Sequence, residues 1–243
     1  MDNQLLDPRP ANASANPYDA SAGAVTSAWQ RNRVLRNTYA LLALSLIPTV
    51  LGAFIGVQLG LATLMAQHRT ITLLVFLGGA FGLMYAIERN KNSGLGVALL
   101  LGFTFFMGLM LAQLLSFILG LANGVSLIAL AFGGTAVIFG AMATVATVSK
   151  RDFSGMAKFL MIGVLVLFVA SIANMFLQMP AMMLAISTLV IVVFSAFMLI
   201  DVQRVVNGGE TNYISATLTI YMDIYNVFVN LLSILGVLGG SRD

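Results

Sequence analysis

The chain contains no cysteine. Disulfides, thiolate nucleophiles and thiolate metal sites are therefore excluded. Histidine is almost absent: His68 is the single one in 243 residues. A zinc enzyme or an intramembrane serine protease needs a buried imidazole, and His68 falls in a short polar connection, QHRT at 67–70. Charge is scarce as well. Asp, Glu, Lys and Arg make up 9% of the residues, against about 25% in soluble domains. The net charge is only +3, and the basic residues lie in short clusters between apolar runs. That pattern encodes membrane topology and gives no basis for a nucleic-acid partner. No lysine falls inside the last apolar run, so a retinal Schiff base has no anchor.

What is abundant is apolar. Hydrophobic residues reach 59% and the mean hydropathy is +0.96. A bilayer core of about 30 Å takes about 20 apolar residues per helix. Seven runs meet that length, at 39–60, 71–88, 95–119, 125–148, 158–178, 180–201 and 213–238. Polar connections separate them: QHRT, ERNKNSG, LANGV, SKRDFSG and NGGETN, with a bare Gln178-Met179-Pro180 between the fifth and sixth. Pro180 suits the first position of a helix, where a missing N–H costs nothing. The reading is an all-α membrane protein, a seven-transmembrane-helix bundle over residues 31–243. Residues 1–30, rich in Asn, Ala, Pro and Asp, read as a disordered cytosolic tail. No cleavable signal peptide is expected, because the first apolar run is long enough to span.

Orientation follows from Lys and Arg. With the N-terminus in the cytosol, the inner segments hold Arg9, Arg31, Arg33, Arg36, Arg89, Lys91, Lys150, Arg151, Lys158 and Arg204. The outer segments hold Arg69 and Arg242. Basic residues favour the cytosolic side, so the C-terminus is expected outside.

The seventh run carries the most chemistry. Asn212, Ser215, Thr219, Asp223, Asn226, Asn230 and Ser233 recur at spacings of three and four. That is one face of a helix. A polar face in a membrane helix turns to the bundle interior or to water. Interhelical hydrogen bonding alone explains such a seam, at about 0.6 kcal/mol per contact. It does not explain an ionisable residue in the middle. Asp at a membrane centre costs roughly 2.5–3.5 kcal/mol on insertion scales.

A second carboxylate, Asp201, lies near the end of the sixth run. Counted from the NGGETN turn, the depths of Asp201 and Asp223 differ by roughly 7 Å at 1.5 Å per residue, which tilt could reduce. Two carboxylates in one low-dielectric site do not both ionise easily, and they can share a proton. Deprotonated, they attract a cation. Oxygen ligands suit Ca²⁺, so Asp201 and Asp223 form a weak Ca²⁺ site at most, and no cofactor is expected. Arg89 and Arg204 are the cations within reach of this end, each able to latch the pair or simply to sit at the headgroups. Asn212, Ser215, Thr219, Asn226, Asn230 and Ser233 are candidates for lining a pathway. Ser171, Asn174 and Gln178 form a shorter polar stripe on the fifth run that could line the same interior.

The remaining motifs are architectural. Gly52, Gly56 and Gly60 form a small-xxx-small ridge suited to close helix packing. Gly78, Gly79, Gly82, Gly133, Gly134 and Gly140 read the same way, and Pro48 should kink the first helix or be absorbed by a neighbour. No nucleophile–base pair or metal set is visible, so an enzyme is not expected, and no inverted repeat supports a secondary transporter.

Four segments carry a resemblance: RVLRNTYALLALSL (33–46), FGGTAVIFGAM (132–142), NMFLQMPAMMLAIS (174–187) and GGETNYISATLTIYMDIYNVFVNLLSILG (208–236). Over about residues 33–240 the chain resembles the Bax-inhibitor-1-like (transmembrane Bax inhibitor motif) family. The first and last segments look particularly like the bacterial branch that modulates the membrane protease FtsH. The resemblance implies a seven-helix bundle with the last helix central, in a bacterial inner membrane. It also implies a helix-six and helix-seven acid pair acting as the pH sensor of a calcium leak, at Asp201 and Asp223, with a helix-two arginine near Arg89 as latch. Two departures stand out. The helix-seven acid can be missing in the FtsH-modulator branch and is present here. A Leu-Gly-Pro kink of many members is replaced by Leu111-Ala112-Gln113.

Two functions follow as expectations. One is a pH-sensitive leak for Ca²⁺ or other cations along the seventh helix, gated by Asp201 and Asp223. The alternative is an inhibitory partner of the FtsH complex, embedded in membrane lipid, with the tail as a handle.

Overall fold

In the bilayer core no water satisfies a backbone N–H or C=O, so a spanning chain must close its hydrogen bonds within helices or a barrel. The runs above lack the period-two alternation of strands, and they fold as helices. A computed structural model describes the backbone of residues 17–240 and the side chains from Arg31 to Gly239. The helices are α1 (Pro17–Gln58), α2 (Leu61–Gln67), α3 (Arg69–Asn90), α4 (Gly94–Leu119), α5 (Gly124–Val148), α6 (Ala157–Leu177), α7 (Pro180–Val206) and α8 (Tyr213–Gly240). A single 3₁₀ turn, Ser154–Met156, precedes α6, and the described residues contain no strand.

Seven of these helices are long and apolar enough to cross a membrane; α2 is a short addition after the first. The seven expected spans are all present, with ends moved by a few residues. The sixth runs on to Val206 because its stop signal lies further along. Gly208 takes φ 77, and Gly209 N–H donates to the Arg204 carbonyl at 2.8 Å. Asp201 therefore sits inside α7 and not at its end. Residues 1–16 of the expected tail lie outside the described residues. From Pro17 the backbone is already helical and continuous with the first span. Proline at a first helical position and the alanines that follow favour that start.

α8 is central. It packs against α1, α3, α4, α5 and α7. α4 shares the centre, with 44% of its apolar window buried, whereas α6 docks on α7 and is only 6% buried. The main core forms where α1, α3, α4, α7 and α8 meet, around Ile87, Leu100, Phe103, Met107, Val202 and Tyr221. The outer faces expose Phe159, Val148, Val125 and Val137, which face lipid at no hydrophobic cost.

The most extensive interface is α1 on α4. A Cβ on Gly52 would collide with the Phe105 carbonyl, one on Gly108 with the Thr49 carbonyl, and one on Gly56 with the Ala112 side chain. Small residues thus interlock in both directions. The expected ridge is shorter than its motif: Gly60 takes φ 65, touches nothing within 4 Å and ends α1 as a turn. Gly78, Gly82, Gly133 and Gly140 also face open space, and of the α3 glycines only Gly79 meets a neighbour, the Phe106 ring.

Pro48 is absorbed within α1. Hydroxyls near it add bonds to the helix: Ser45 donates to the Leu42 carbonyl at 2.7 Å and Thr49 to the Ser45 carbonyl at 2.9 Å. Thr49 also shares a 2.8 Å hydrogen bond with the Tyr221 hydroxyl, tying α1 to α8. Buried Gln203 fastens the α5–α6 connection. Its amide donates to the Arg151 carbonyl at 2.7 Å and its oxygen accepts from Phe153 N–H at 3.0 Å.

Candidate functional site

The hairpin α7–α8 brings the two carboxylates together. Asp201 and Asp223 lie within hydrogen-bonding reach of each other. A hydrogen bond between two carboxyl groups needs one of them to carry the proton. A carboxyl pair this close in a low-dielectric site favours sharing one proton over ionising twice. Asp223 is 4% exposed, and its Oδ2 has no hydrogen-bond partner. A buried, unpaired acceptor of this kind costs about 1–3 kcal/mol or more.

Asp201 is less enclosed. Arg204, one turn on, places Nη1 3.6 Å from Asp201 Oδ1 while its own side chain stays half exposed. The Thr219 hydroxyl also reaches Asp201. Asp201, Arg204, Val205, Glu210, Ala216 and Thr219 enclose a pocket of about 10 Å³, room for about one water. Two carboxylates and a hydroxyl supply fewer than the six to eight oxygens that Ca²⁺ takes. Among the described residues no group of three or more His, Asp or Glu side chains could hold a metal. The pair does not fit a resident ion.

The two candidate latch arginines are placed differently. Arg89 is exposed in the last turn of α3 and makes no ion pair with either carboxylate. Arg204 lies beside Asp201, three residues on along the same helix face. The neighbour of Arg89, Glu88, pairs instead with Lys91 at 2.9 Å. In that exposed pair, the ammonium beside Glu88 is held above its ordinary pKa by the carboxylate.

The polar stripe of α8 is continuous in sequence but divided in space. Asn212 is a helix cap: its Oδ1 accepts from Ile214 and Ser215 N–H at 2.9 and 3.2 Å. Its Nδ2 donates to the Lys91 carbonyl at 3.0 Å. Its polarity serves the helix start and not a pathway. Ser215 is buried beside Glu88, and its hydroxyl closes no hydrogen bond of good geometry. Thr219 lines the acid pocket beside Asp201, and Asp223 is buried behind it. Ser233 is buried and lines neither the acid pocket nor the larger space described next.

Asn226 and Asn230 face a second space of about 1280 Å³ at the opposite end of the bundle. Ser171, Asn174 and Gln178 line it too, as the stripe on the fifth span suggested. Gln113, Ser187, Thr72 and Arg69 also line it. Gln113 escapes sequence reasoning because it is a lone polar residue in an apolar run with no periodic partner, whereas Arg69 belongs to the QHRT connection. Asp201 and Asp223 do not line this space. At 1.5 Å per residue, Asp223 is about 4.5 Å along the axis from Asn226, and it lines neither space. Tyr221 and Tyr225 stack at 6.1 Å, and the Tyr225 hydroxyl donates to the Met107 carbonyl at 3.1 Å.

A seven-span helical bundle with a buried acid pair on its last hairpin defines a multi-pass membrane protein. Residues 31–240 match the family described as Inhibitor of apoptosis-promoting Bax1, and the chain belongs to that family. It is 38% identical over 218 residues to an Escherichia coli protein named Modulator of FtsH protease YccA, covering 90% of this chain and 95% of that one. A protein of a second Escherichia coli strain, also 38% identical over 218 residues, is named Inner membrane protein YccA. An uncharacterized protein of Neisseria meningitidis is 37% identical over 224 residues, covering 92% of this chain and 97% of its own. The chain is accordingly a multi-pass protein of the inner membrane.

Proposed function

We propose that this protein is a membrane-embedded modulator of an FtsH-type membrane protease, acting as a binding partner and not as an enzyme. The observation that carries the reading is the near full-length similarity to the relative named as such a modulator. The described residues support a non-catalytic role. The single imidazole, His68, is exposed between α2 and α3. With the basic-residue asymmetry of the connections, the acid pocket lies toward the cytosol and the large cavity toward the outside.

The test is purification from native membranes, with the full chain and with residues 1–30 removed. The protease should co-purify with the full chain, and added chain should slow its degradation of another membrane protein. Failure of both overturns the reading.

A second reading has its own support in the acid pair. Asp201 and Asp223 share a site that holds one proton, closed by Arg204, and loss of that proton leaves charge beside a water-sized pocket. Such a pair suits a proton-sensitive leak in which Ca²⁺ or another cation is cargo. In liposomes loaded with a Ca²⁺ dye, Asp223→Asn should flatten the pH dependence of flux. An unchanged profile removes this reading and leaves the pair a structural contact.

A further inference from the structure

Arg33 and Arg36 lie one turn apart on α1, and both are exposed. Like charges at that spacing repel, and an acidic neighbour on the helix relieves them. Neither arginine has one. Among the described residues the side-chain ion pairs are Lys91 with Glu88 and Arg204 with Asp201. The counter-charge for Arg33 and Arg36 comes from outside these residues.

The packing of α1 fixes which way the two arginines face. Thr38, Leu41, Leu42 and Ser45 form its buried side. At this end the Thr217 hydroxyl donates to the Thr38 carbonyl at 3.3 Å and ties α1 to α8. The opposite side carries Arg33 and Arg36. Three turns on, at helical spacing, the same side carries Ile47, Leu51 and Phe54, which are 57%, 51% and 61% exposed. From Arg36 to Phe54 is about 27 Å along the axis at 1.5 Å per residue, close to the roughly 30 Å of hydrocarbon. Arg36 therefore sits at the level of the lipid phosphates when Ile47, Leu51 and Phe54 meet acyl chains, and Arg33 lies one turn further out. Arg31 differs: it falls on the bundle side of the helix, and its side chain lies against Gly208 of the α7–α8 turn.

One kind of molecule matches both parts of this face. Acyl chains cover the apolar part, and the phosphate that ends those chains arrives beside Arg36. A planar guanidinium meets a phosphate through two parallel hydrogen bonds. A choline or ethanolamine headgroup brings its own cation to that phosphate, whereas a glycerol headgroup leaves the charge for the protein to neutralise. We propose that the Arg33–Arg36 face of α1 is a binding site for a phospholipid of net negative charge, such as phosphatidylglycerol, in the leaflet at that end of the bundle. The site is independent of the modulator reading.

The chain carries its own reporter. Trp29 is its single tryptophan and lies one turn before Arg33 on α1. The purified full chain is reconstituted in phosphatidylcholine vesicles with a trace of N-dansyl-phosphatidylethanolamine, a lipid made anionic by its blocked amine. Energy transfer from Trp29 to the dansyl group should fall when unlabelled phosphatidylglycerol is added and hold when the same amount of phosphatidylcholine is added instead. Arg33→Gln and Arg36→Gln should each weaken that competition about fivefold, the worth of one basic residue beside an anionic surface. Arg31→Gln removes the same charge from the turn side and should leave it unchanged. If both lipids compete alike, or if Arg31→Gln weakens the competition as much as Arg33→Gln, the arginines supply only a general field and the proposal falls. It also falls if Arg33→Gln and Arg36→Gln keep the lipid preference but lose a protein partner from native membranes, because the face is then a protein contact.

Discussion

The α1–α4 side of the bundle is closed and the α3–α6 side is open, although both carry glycines in runs of similar hydropathy. On the closed side Gly52 and Gly56 face Gly108 and Ala112, so each backbone enters the other's gap. On the open side Gly78 and Gly82 meet nothing within 4 Å. A small-residue motif makes an interface only where the partner helix offers a matching gap at the same height. The open side keeps its polar groups instead, with Asn226, Asn230, Gln113 and Asn174 around a space that the closed side has no room for.

The sharpest way to break this contrast is Gly108→Leu. The added side chain meets the Thr49 carbonyl and backbone, which cannot move aside as a rotamer can. A loss of about 3 kcal/mol is expected, read as a large fall in the melting temperature in detergent. Next is Gln203→Ala, which strands the Arg151 carbonyl and the Phe153 N–H of the α5–α6 connection. About 2 kcal/mol should be lost, with faster proteolysis of the 149–156 connection as an independent readout. Tyr221→Phe removes the bond to Thr49 while keeping the ring on Phe103, for about 1 kcal/mol. The smallest effect belongs to the open side: Gly82→Leu should change stability by less than about 0.5 kcal/mol. Equal losses for Gly82→Leu and Gly108→Leu would erase the distinction between the two sides.

Much of this was legible beforehand. The seven spans, Pro180 at a helix start and the joining of Asp201 to Asp223 all rest on local signals: apolar length, turn residues and the antiparallel return of a short hairpin. The acid pair sits on consecutive helices, so a connection of six residues already limits where each side chain can go. The latch was less legible. Arg89 and Arg204 are equivalent in composition, and only the packing of α3 shows that Arg89 points to the exterior. The stripe of α8 was legible as a face but not as three separate environments. Periodicity records direction around one axis and says nothing of what stands opposite. Asn212 therefore looked like a lining residue, although its neighbours Lys91 and Asn92 come from a connection 120 residues away.

The sequence by itself determined the class of the protein, because lipid leaves a long apolar chain no alternative to satisfied helices. It also determined the last hairpin, whose partners are neighbours along the chain. Tertiary structure alone decided which glycines touch, which arginine meets Asp201, and that a large, partly polar space opens between α3 and α6. Those outcomes depend on relative height and rotation of helices far apart in sequence. Apolar contacts in a membrane are too uniform for composition to specify them; only the fit of one side chain into one gap does.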